Sequence, residues 1–464
     1  GNPRMLDAIQ WDTSLIRRYD QAGPRYTSYP TAVQFHERVS QFDLLHALRE
    51  SRKAQRPLSL YVHIPFCAHI CYYCACNKVI TKDRGRAQPY LEKLEREIEI
   101  ISRHLDPQQK VEQLHFGGGT PTFLSHDELR HLMGHLRQHF NLPDDDSGDY
   151  SIEIDPREAD WSTMGLLREL GFNRVSLGVQ DLDPAVQRAV NRLQTLEETR
   201  AIVEAARTLQ FRSVNIDLIY GLPLQTPERF ARTVAEVIAL QPDRLSLFNY
   251  AHLPERFMPQ RRINTSDLPS PGDKLTMLQA SIEQLSAAGY RYIGMDHFAL
   301  PDDELASAQE DGSLQRNFQG YTTHGHCDLI GLGVSSISQI GELYCQNNSD
   351  LSKYQDSLGH SELATLRGLH CDADDRVRRA VIQQLICHFQ LRFADIEQAY
   401  AIDFRNYFAE VWPQLQQMAS DGLIELNAQG IEVRPAGRLL VRSLCMLFDR
   451  YLSELNQQRF SRVI

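Results

Sequence analysis

LSLYVHIPFCAHICYYCACN, residues 58–77, sets an apolar, β-branched run directly ahead of three cysteines, Cys67, Cys71 and Cys74. Iron–sulfur clusters are held by cysteine thiolates, usually four, so a close CxxxCxxC trio leaves one iron open for chemistry. Structural zinc sites use two CxxC pairs, or one pair and a distant HxxxH, and no such second pair follows here. A zinc knuckle or unliganded core cysteines are the alternatives. Cys76 could complete a four-thiolate site, but neighbours in an extended CxC point to opposite faces. His69, inside the loop, reads as a supporting residue more than a ligand.

Working outward, the run Leu58–Phe66 is the first of six. VEQLHF (111–116), YSIEID (150–155), RVSLGV (174–179), SVNIDLIY (213–220) and RLSLFNY (244–250) repeat it, separated by amphipathic helical patterns such as Tyr90 to Leu105 and Pro227 to Leu240. Strands alternating with helices mean repeated βαβ units and a parallel sheet, open or curled into a barrel. The chemistry-bearing residues fall at the carboxyl ends of these strands, where parallel α/β folds build their sites. These are the cysteines, GGGTPT (117–122), Glu153 with Asp155, Gln180, Asp217 and Ala251. A further helix is expected near Lys274 to Ala288. Composition shifts near Leu366, after which helices, with Asp375 as an expected cap, precede a hairpin, LIELNAQGIEVRP, in a winged-helix-like pattern. The expected divisions are an arm with a first helix over 5–50, a barrel with its extension over 51–366, and a helical lid domain over 367–464; Gly1 to Arg4 read as a tag remnant.

The 464 residues carry a formal net charge of -11, which disfavours nucleic acid as a partner. The winged-helix-like tail does not reverse this, with 11 Arg against 12 Asp plus Glu from Cys371 onward. An anionic substrate would need a local basic group, and KVITKDRGR (78–86) is the most basic stretch near the cysteines, or a solvated loop. No stretch is long and apolar enough to span a bilayer, and no secretory signal is evident, so a cytoplasmic location is expected. Nine cysteines fit a reducing compartment. HGHCD, His324 to Asp328, looks metal-like, but its spacing matches no common site.

An open iron can chelate adjacent amino and carboxylate groups, which S-adenosylmethionine (SAM) offers. Gly117 to Gly119 would let a backbone approach such a ligand closely, with Thr120 adding a hydroxyl. CxxxCxxC with Tyr73 before the third cysteine, followed by GGGTPT, resembles the radical SAM superfamily, whose fold is a partial or complete (β/α) barrel. PRYTSYPTA (24–32), SIEIDPRE, GVQD, NIDLIYGLP, FNYAHLP, GMDHFA and QRNFQGYTT (315–323) extend the likeness over nearly the whole chain to the oxygen-independent coproporphyrinogen III oxidase family. The fold this implies is a partial (β/α)6 barrel with a mainly helical, winged-helix-like C-terminal domain.

The resemblance implies a 4Fe–4S cluster on Cys67, Cys71 and Cys74, and two SAM molecules. The first would be contacted by Tyr61, Tyr73, Gly118, Glu153 and Ile337, the second by Gly119, Thr120, Gln180, Arg192, Asp217 and Ala251. It implies a 5′-deoxyadenosyl radical that oxidatively decarboxylates two propionates of coproporphyrinogen III to vinyl groups, giving protoporphyrinogen IX. Four substrate carboxylates call for arginines, and Arg25 and Arg316 are the candidates, with Tyr26 beside them in substrate binding and Gln319 in the catalytic set. A monomer served by a flavodoxin or ferredoxin is expected. The CxC spacer, Ala75, stands where the family leads one to expect glycine, a strain of about 1 kcal/mol if φ is positive there. Two rivals remain: a haem chaperone on the same barrel, and a zinc-dependent DNA regulator. Cys76, PRYTSYPTA and QRNFQGYTT favour the enzyme over the chaperone.

Overall fold

A computed structural model describes residues 9–76 and 78–452. Contacts divide the chain into two compact units, one built from Phe35–Ala280 and His326–His370, the other from Gly1–Gln34, Ser281–Gly325 and Cys371–Ile464.

The first unit contains the six anticipated strands: β1 (Leu58–Ile64), β2 (Val111–Gly118), β3 (Asp149–Ile154), β4 (Arg174–Gln180), β5 (Ser213–Tyr220) and β6 (Arg244–Asn249). Each pairs in parallel with the next. On its other side β1 pairs in parallel with β7 (Asp328–Leu332), and the sheet continues antiparallel through β8 (Ile337–Ile340), β9 (Leu343–Asn347) and β10 (Thr365–His370). This is a partial (β/α)6 barrel with an antiparallel extension.

Side chains alternate along a strand, and the alternation sorts this sheet into two faces. Leu60, Val62 and Ile64 of β1, Ile152 and Ile154 of β3, and Val214, Ile216 and Leu218 of β5 are buried under helices. Each such side chain contributes roughly 1.5–3 kcal/mol by leaving water. The intervening residues, Tyr61, His63, Ser151, Glu153, Asn215 and Asp217, are only partly buried and line the other face.

The covering helices are α1 (Gln41–Ala54), α2 (Ala87–Arg103), α3 (His126–His139), α4 (Trp161–Glu169), α5 (Leu196–Thr208) and α6 (Pro227–Ala239). α2 buries the expected stripe of Leu91, Leu94, Ile98 and Ile101. Ser40, Ser125, Asp160 and Thr195 close reciprocal capping boxes on α1, α3, α4 and α5, satisfying amides that the first turn leaves unpaired. The helix expected near Lys274 spans Pro271–Ala287, and no described helix is long and apolar enough to cross a membrane.

In the second unit, the helix Ala373–His388 is capped by Asp372, not Asp375. Asp375 sits at the third helical position and returns a bond to the Asp372 amide, so it is the other half of the capping box. The hairpin Ile424–Leu426 with Gly430–Val433 forms as expected, and Gln390–Arg392 adds a third strand beside it. Phe393, Phe404, Phe408 and Phe448 pack into an aromatic core beneath.

Candidate active site

The cysteine loop leaves β1 and is pinned at its base. Phe66–Cys67 pairs with Val79–Ile80, with the Val79 amide donating to Pro65 O at 2.9 Å and the Thr81 amide to Cys67 O at 2.9 Å. Its far side is held by the Tyr72 amide on Val190 O at 2.9 Å and by Asn191 Nδ2 on Ile70 O at 2.8 Å. Tyr72 and Tyr73 then pack on an apolar cluster of Val186, Val190, Leu222, Tyr250 and Ile263. Aromatic residues inside the cysteine motif therefore fix the loop to segments that follow the strands.

Cys67, Cys71 and Cys74 line one cavity together with Cys76, Lys78, Thr120 and Arg192. The three thiols have different supports. Cys67 Sγ lies 3.3 Å from Thr120 Oγ1, and burial pushes its thiol up. Cys71 receives Arg157 Nη2 at 3.8 Å and Arg192 Nη1 at 3.7 Å. Cys74 is brought down to about 5 by its hydrogen bonding with Cys76 and by the nearby Lys78 ammonium. Cys76 is exposed, and its carbonyl accepts from Cys74 at 3.6 Å. Ala75 is not at positive φ, so the loop carries no left-handed strain there. His69 pairs with Glu158 at 3.3 Å, which also holds Arg84 at 2.9 Å, while Lys78 and Ile80 of the basic stretch line the thiol cavity.

The glycines earn their places one by one. A methyl on Gly117 would lie 3.0 Å from Glu153 Oε1, Gly118 has φ of +111°, and a methyl on Gly119 would lie 2.7 Å from the Pro65 carbonyl carbon and from Phe66 O. Their amides are already engaged: Gly118 donates to Glu153 Oε2 at 3.3 Å, Gly119 to Ile64 O at 2.6 Å and Thr120 to Phe66 O at 2.8 Å. The triple glycine thus brings β2 against the root of the cysteine loop, and these N–H groups are not left for a ligand.

Across the sheet the partly buried row is polar and connected. His115 bonds Ser151 Oγ at 2.6 Å and Glu153 Oε1 at 3.3 Å; Asn215 Nδ2 donates to Ser176 Oγ at 2.8 Å and Asp217 Oδ1 at 2.9 Å. Burial works to raise Glu153, but the His115 hydrogen bond and charge outweigh it and hold the carboxyl below its usual range. Asp217 lacks such a partner, and burial carries it up to about 6. Burial likewise lowers His63 to about 4, keeping its ring neutral beside Tyr61, whose hydroxyl lies 2.9 Å from His63 Nδ1. Tyr61 registers with Gly331, against which the backbone of Ile337 packs, so Ile337 stands on the same line across the strands.

Gln180 sits at φ of +69° where the β4–β5 register slips, and its Oε1 is buried with no partner. Arg192 donates to Gly178 O and lies 3.5 Å from Asp155 Oδ1, yet its Nε is also buried and unpaired. Asp155 pairs with Arg157 at 2.7 Å, so one carboxylate serves both arginines beside Cys71. Ala251 follows β6 at the same edge. Cysteine thiols gathered on one cavity, with cationic support and orphaned polar atoms nearby, suit a thiolate-held cluster and a polar ligand.

The remaining candidates belong to the second unit. Arg25 forms an ion pair with Asp296. Tyr26 is buried at 1% exposure, and its hydroxyl donates to Asp449 at 2.8 Å. Its carbonyl receives Arg316 Nε at 3.1 Å, while the Arg316 guanidinium lies 4.7 Å from the Tyr321 ring centre. Gln319 is exposed at the turn between Gln315–Asn317 and Gly320–Thr322. Tyr26 is thus a packed residue whose hydroxyl is already engaged. The sequence reading passed over His63, His115, Ser151, Asn215 and Arg157; for all but Arg157, the signal was their two-residue alternation with the apolar positions.

A profile of the radical SAM superfamily matches residues 61–237, and one of the HemN C-terminal domain matches residues 371–440. The oxygen-independent coproporphyrinogen III oxidase of Pseudomonas aeruginosa is 78% identical over 460 residues, covering 99% of this chain and 100% of that protein. Its counterpart in Escherichia coli is 50% identical over 460 residues, covering 99% and 100%. A solved structure of the Escherichia coli coproporphyrinogen III oxidase (HemN), described as a radical SAM enzyme, matches with a TM-score of 0.91 at 49% identity, covering 96% of this chain and 100% of that one.

Proposed function

The chain belongs to the oxygen-independent coproporphyrinogen III oxidases of the radical SAM superfamily, and from that premise we propose how its own residues divide the work. The reaction converts two propionate side chains of coproporphyrinogen III to vinyl groups with loss of carbon dioxide, giving protoporphyrinogen IX. The cofactors are a 4Fe–4S cluster and SAM. When bound, the cluster and SAM would supply a 5′-deoxyadenosyl radical to take one hydrogen atom from each propionate β-carbon, loss of carbon dioxide and of one electron to an acceptor then leaving the vinyl group.

Cys67, Cys71 and Cys74 hold the cluster and Cys76 does not. All four cysteines line the cavity, and the observation that carries the division is their burial: Cys67 and Cys74 are buried and Cys71 half-buried, each with a polar partner at its sulfur, whereas Cys76 is exposed. Tyr61, Tyr73, Gly118, Glu153 and Ile337 contact one SAM. Glu153, ionised through His115, is suited to accept from an ammonium or ribose hydroxyls. Gly119, Thr120, Gln180, Arg192, Asp217 and Ala251 hold a second SAM, for which the unpaired Gln180 Oε1 and Arg192 Nε offer an acceptor and a donor. Arg25 and Arg316 recognise substrate carboxylates, with Tyr26 behind them and Gln319 in the catalytic set; Arg25 must exchange Asp296 for the substrate.

The same proposal covers the divisions at 5–50, 51–366 and 367–464, of which residues 5–8, 77 and 453–464 lie outside the described residues. The task of the outer two is to exclude water and oxygen. A flavodoxin or ferredoxin as electron donor, a monomeric state and a cytoplasmic location complete it. The test is anaerobic incubation of the iron-loaded protein with coproporphyrinogen III, SAM and a reductant. Protoporphyrinogen IX is the expected product; its absence, together with tight stoichiometric haem binding, would place the chain with the haem chaperones.

A further inference from the structure

The HGHCD run is unused by this chemistry, and folding gives it a partner from far along the chain. Glu112 is the second residue of β2, and Cys327 immediately precedes β7. These two strands flank β1, where Leu58 registers with Val111 on one side and with Asp328 on the other. Glu112 and Cys327 therefore approach the start of β1 from both sides. The carboxylate of Glu112, the ring of His326 and the thiol of Cys327 offer ligand atoms that all lie within 4.8 Å of one another, with His326 Nε2 only 2.9 Å from Glu112 Oε1. Asp328 is committed elsewhere, to Arg56 Nε at 2.7 Å and the Gly341 amide at 3.0 Å.

We propose that Glu112, His326 and Cys327 form a zinc site at the amino-terminal end of the barrel. One thiol, one imidazole and one carboxylate are a mixed S, N, O set, which suits borderline-soft zinc, whereas calcium and magnesium take oxygen ligands. Ligand atoms at about 2.0–2.3 Å from a tetrahedral ion lie roughly 3.3–3.8 Å apart, so side-chain rotation of about 1 Å closes the set. The fourth position goes to water. On binding, the Cys327 thiol proton passes to solvent, and the Glu112–His326 pairing is exchanged for two bonds to the ion. Seven residues of β1 at about 3.3 Å each put this end roughly 20 Å from the cysteine loop, so the site serves stability, the usual task of that face of a barrel. It clips residues 214 apart in sequence, a long loop for a single ion to close.

The test is a zinc titration of the cluster-loaded protein by equilibrium dialysis, with zinc and iron counted separately and zinc X-ray absorption recorded. One zinc per chain, with one sulfur neighbour at about 2.3 Å, is expected. Cys327→Ala, His326→Ala and the isosteric Glu112→Gln should each weaken zinc binding by more than about 100-fold, beyond the 10–100-fold cost of losing a supporting hydrogen bond. Unchanged iron content in the same samples reports that each variant has folded. Binding in the wild type weaker than micromolar, a zinc shell without sulfur, or zinc retained by the variants would overturn the assignment. The last outcome includes capture by Glu99, His135 and His139 on α2 and α3.

Discussion

Replacing Gly119 with alanine puts a methyl group 2.7 Å from the Pro65 carbonyl carbon and from Phe66 O, about 0.7 Å short of ordinary contact at 3.4 Å. Both neighbours are backbone, so no side chain can rotate away and the root of the cysteine loop must separate from β2. Overpacking of this kind costs roughly 1–3 kcal/mol. The movement also strains the Gly119–Ile64 and Thr120–Phe66 hydrogen bonds, each worth about 0.5–1.5 kcal/mol. A loss of about 2–6 kcal/mol in stability follows, and because Cys67 rides on that root, a displacement near 1 Å should lower kcat/KM by roughly 100-fold. Gly134→Ala is the control: it lies in α3 with nothing within 4 Å, and should raise stability by about 0.5–1 kcal/mol without touching activity. Denaturant unfolding, iron and sulfide content, and turnover measured under nitrogen on both variants check the reasoning. Gly119→Ala with wild-type stability and full turnover would refute the claim that the triple glycine exists to seat the loop.

Serine at Cys67, Cys71 or Cys74 should abolish both iron content and activity, whereas Cys76→Ser should keep its iron; loss of iron there would make Cys76 a ligand. Asp155→Asn leaves Arg157 and Arg192 without their shared carboxylate and should cost about 3–5 kcal/mol in unfolding experiments. Burial resists ionisation of Asp155, but the two arginines hold its carboxyl below the usual range, so its stabilisation is present above the unfolded value near 3.8 and is lost as pH falls through the lower folded value. The variant should therefore flatten the acid limb of stability, and an unchanged limb would count against this pairing. Tyr26→Phe removes the hydroxyl donor from the half-buried Asp449 carboxylate, which keeps the Tyr451 amide at 2.8 Å, and should cost about 1–3 kcal/mol with KM for coproporphyrinogen III unchanged. A raised KM at wild-type stability would instead put Tyr26 on the substrate.

The barrel was legible because its strands are bounded by polar turns and its helices carry clean stripes; the six anticipated runs differ from the observed strands by two residues at most. The cysteine trio was legible because its spacing is local. What was hidden depends on pairing across strands. His115 gains meaning only when register sets it beside Ser151, and from there within reach of Glu153. The packing of Gly119 against Pro65 and Phe66 was hidden because nothing in the sequence brings those residues together. Asp375 passed for a cap because both halves of a capping box are acidic here, and only geometry tells the giver from the receiver. HGHCD fitted no metal spacing because its third donor, Glu112, arrives from another strand.

The alternation of the barrel strands has a consequence for how such an enzyme can change. Folding is written on Leu60, Val62, Ile64, Val214, Ile216 and Leu218, while Tyr61, His63, Asn215 and Asp217 between them face the polar side. The two sets are interleaved in sequence yet separated in space, so selection can revise one without disturbing the other, as long as substitutions replace residues and never shift them. A single inserted or deleted residue within a strand would exchange the sets wholesale, lining the polar face with leucine and packing the core with carboxylates. Point substitution should therefore be the route by which the interior of this barrel diversifies, with length changes confined to its loops.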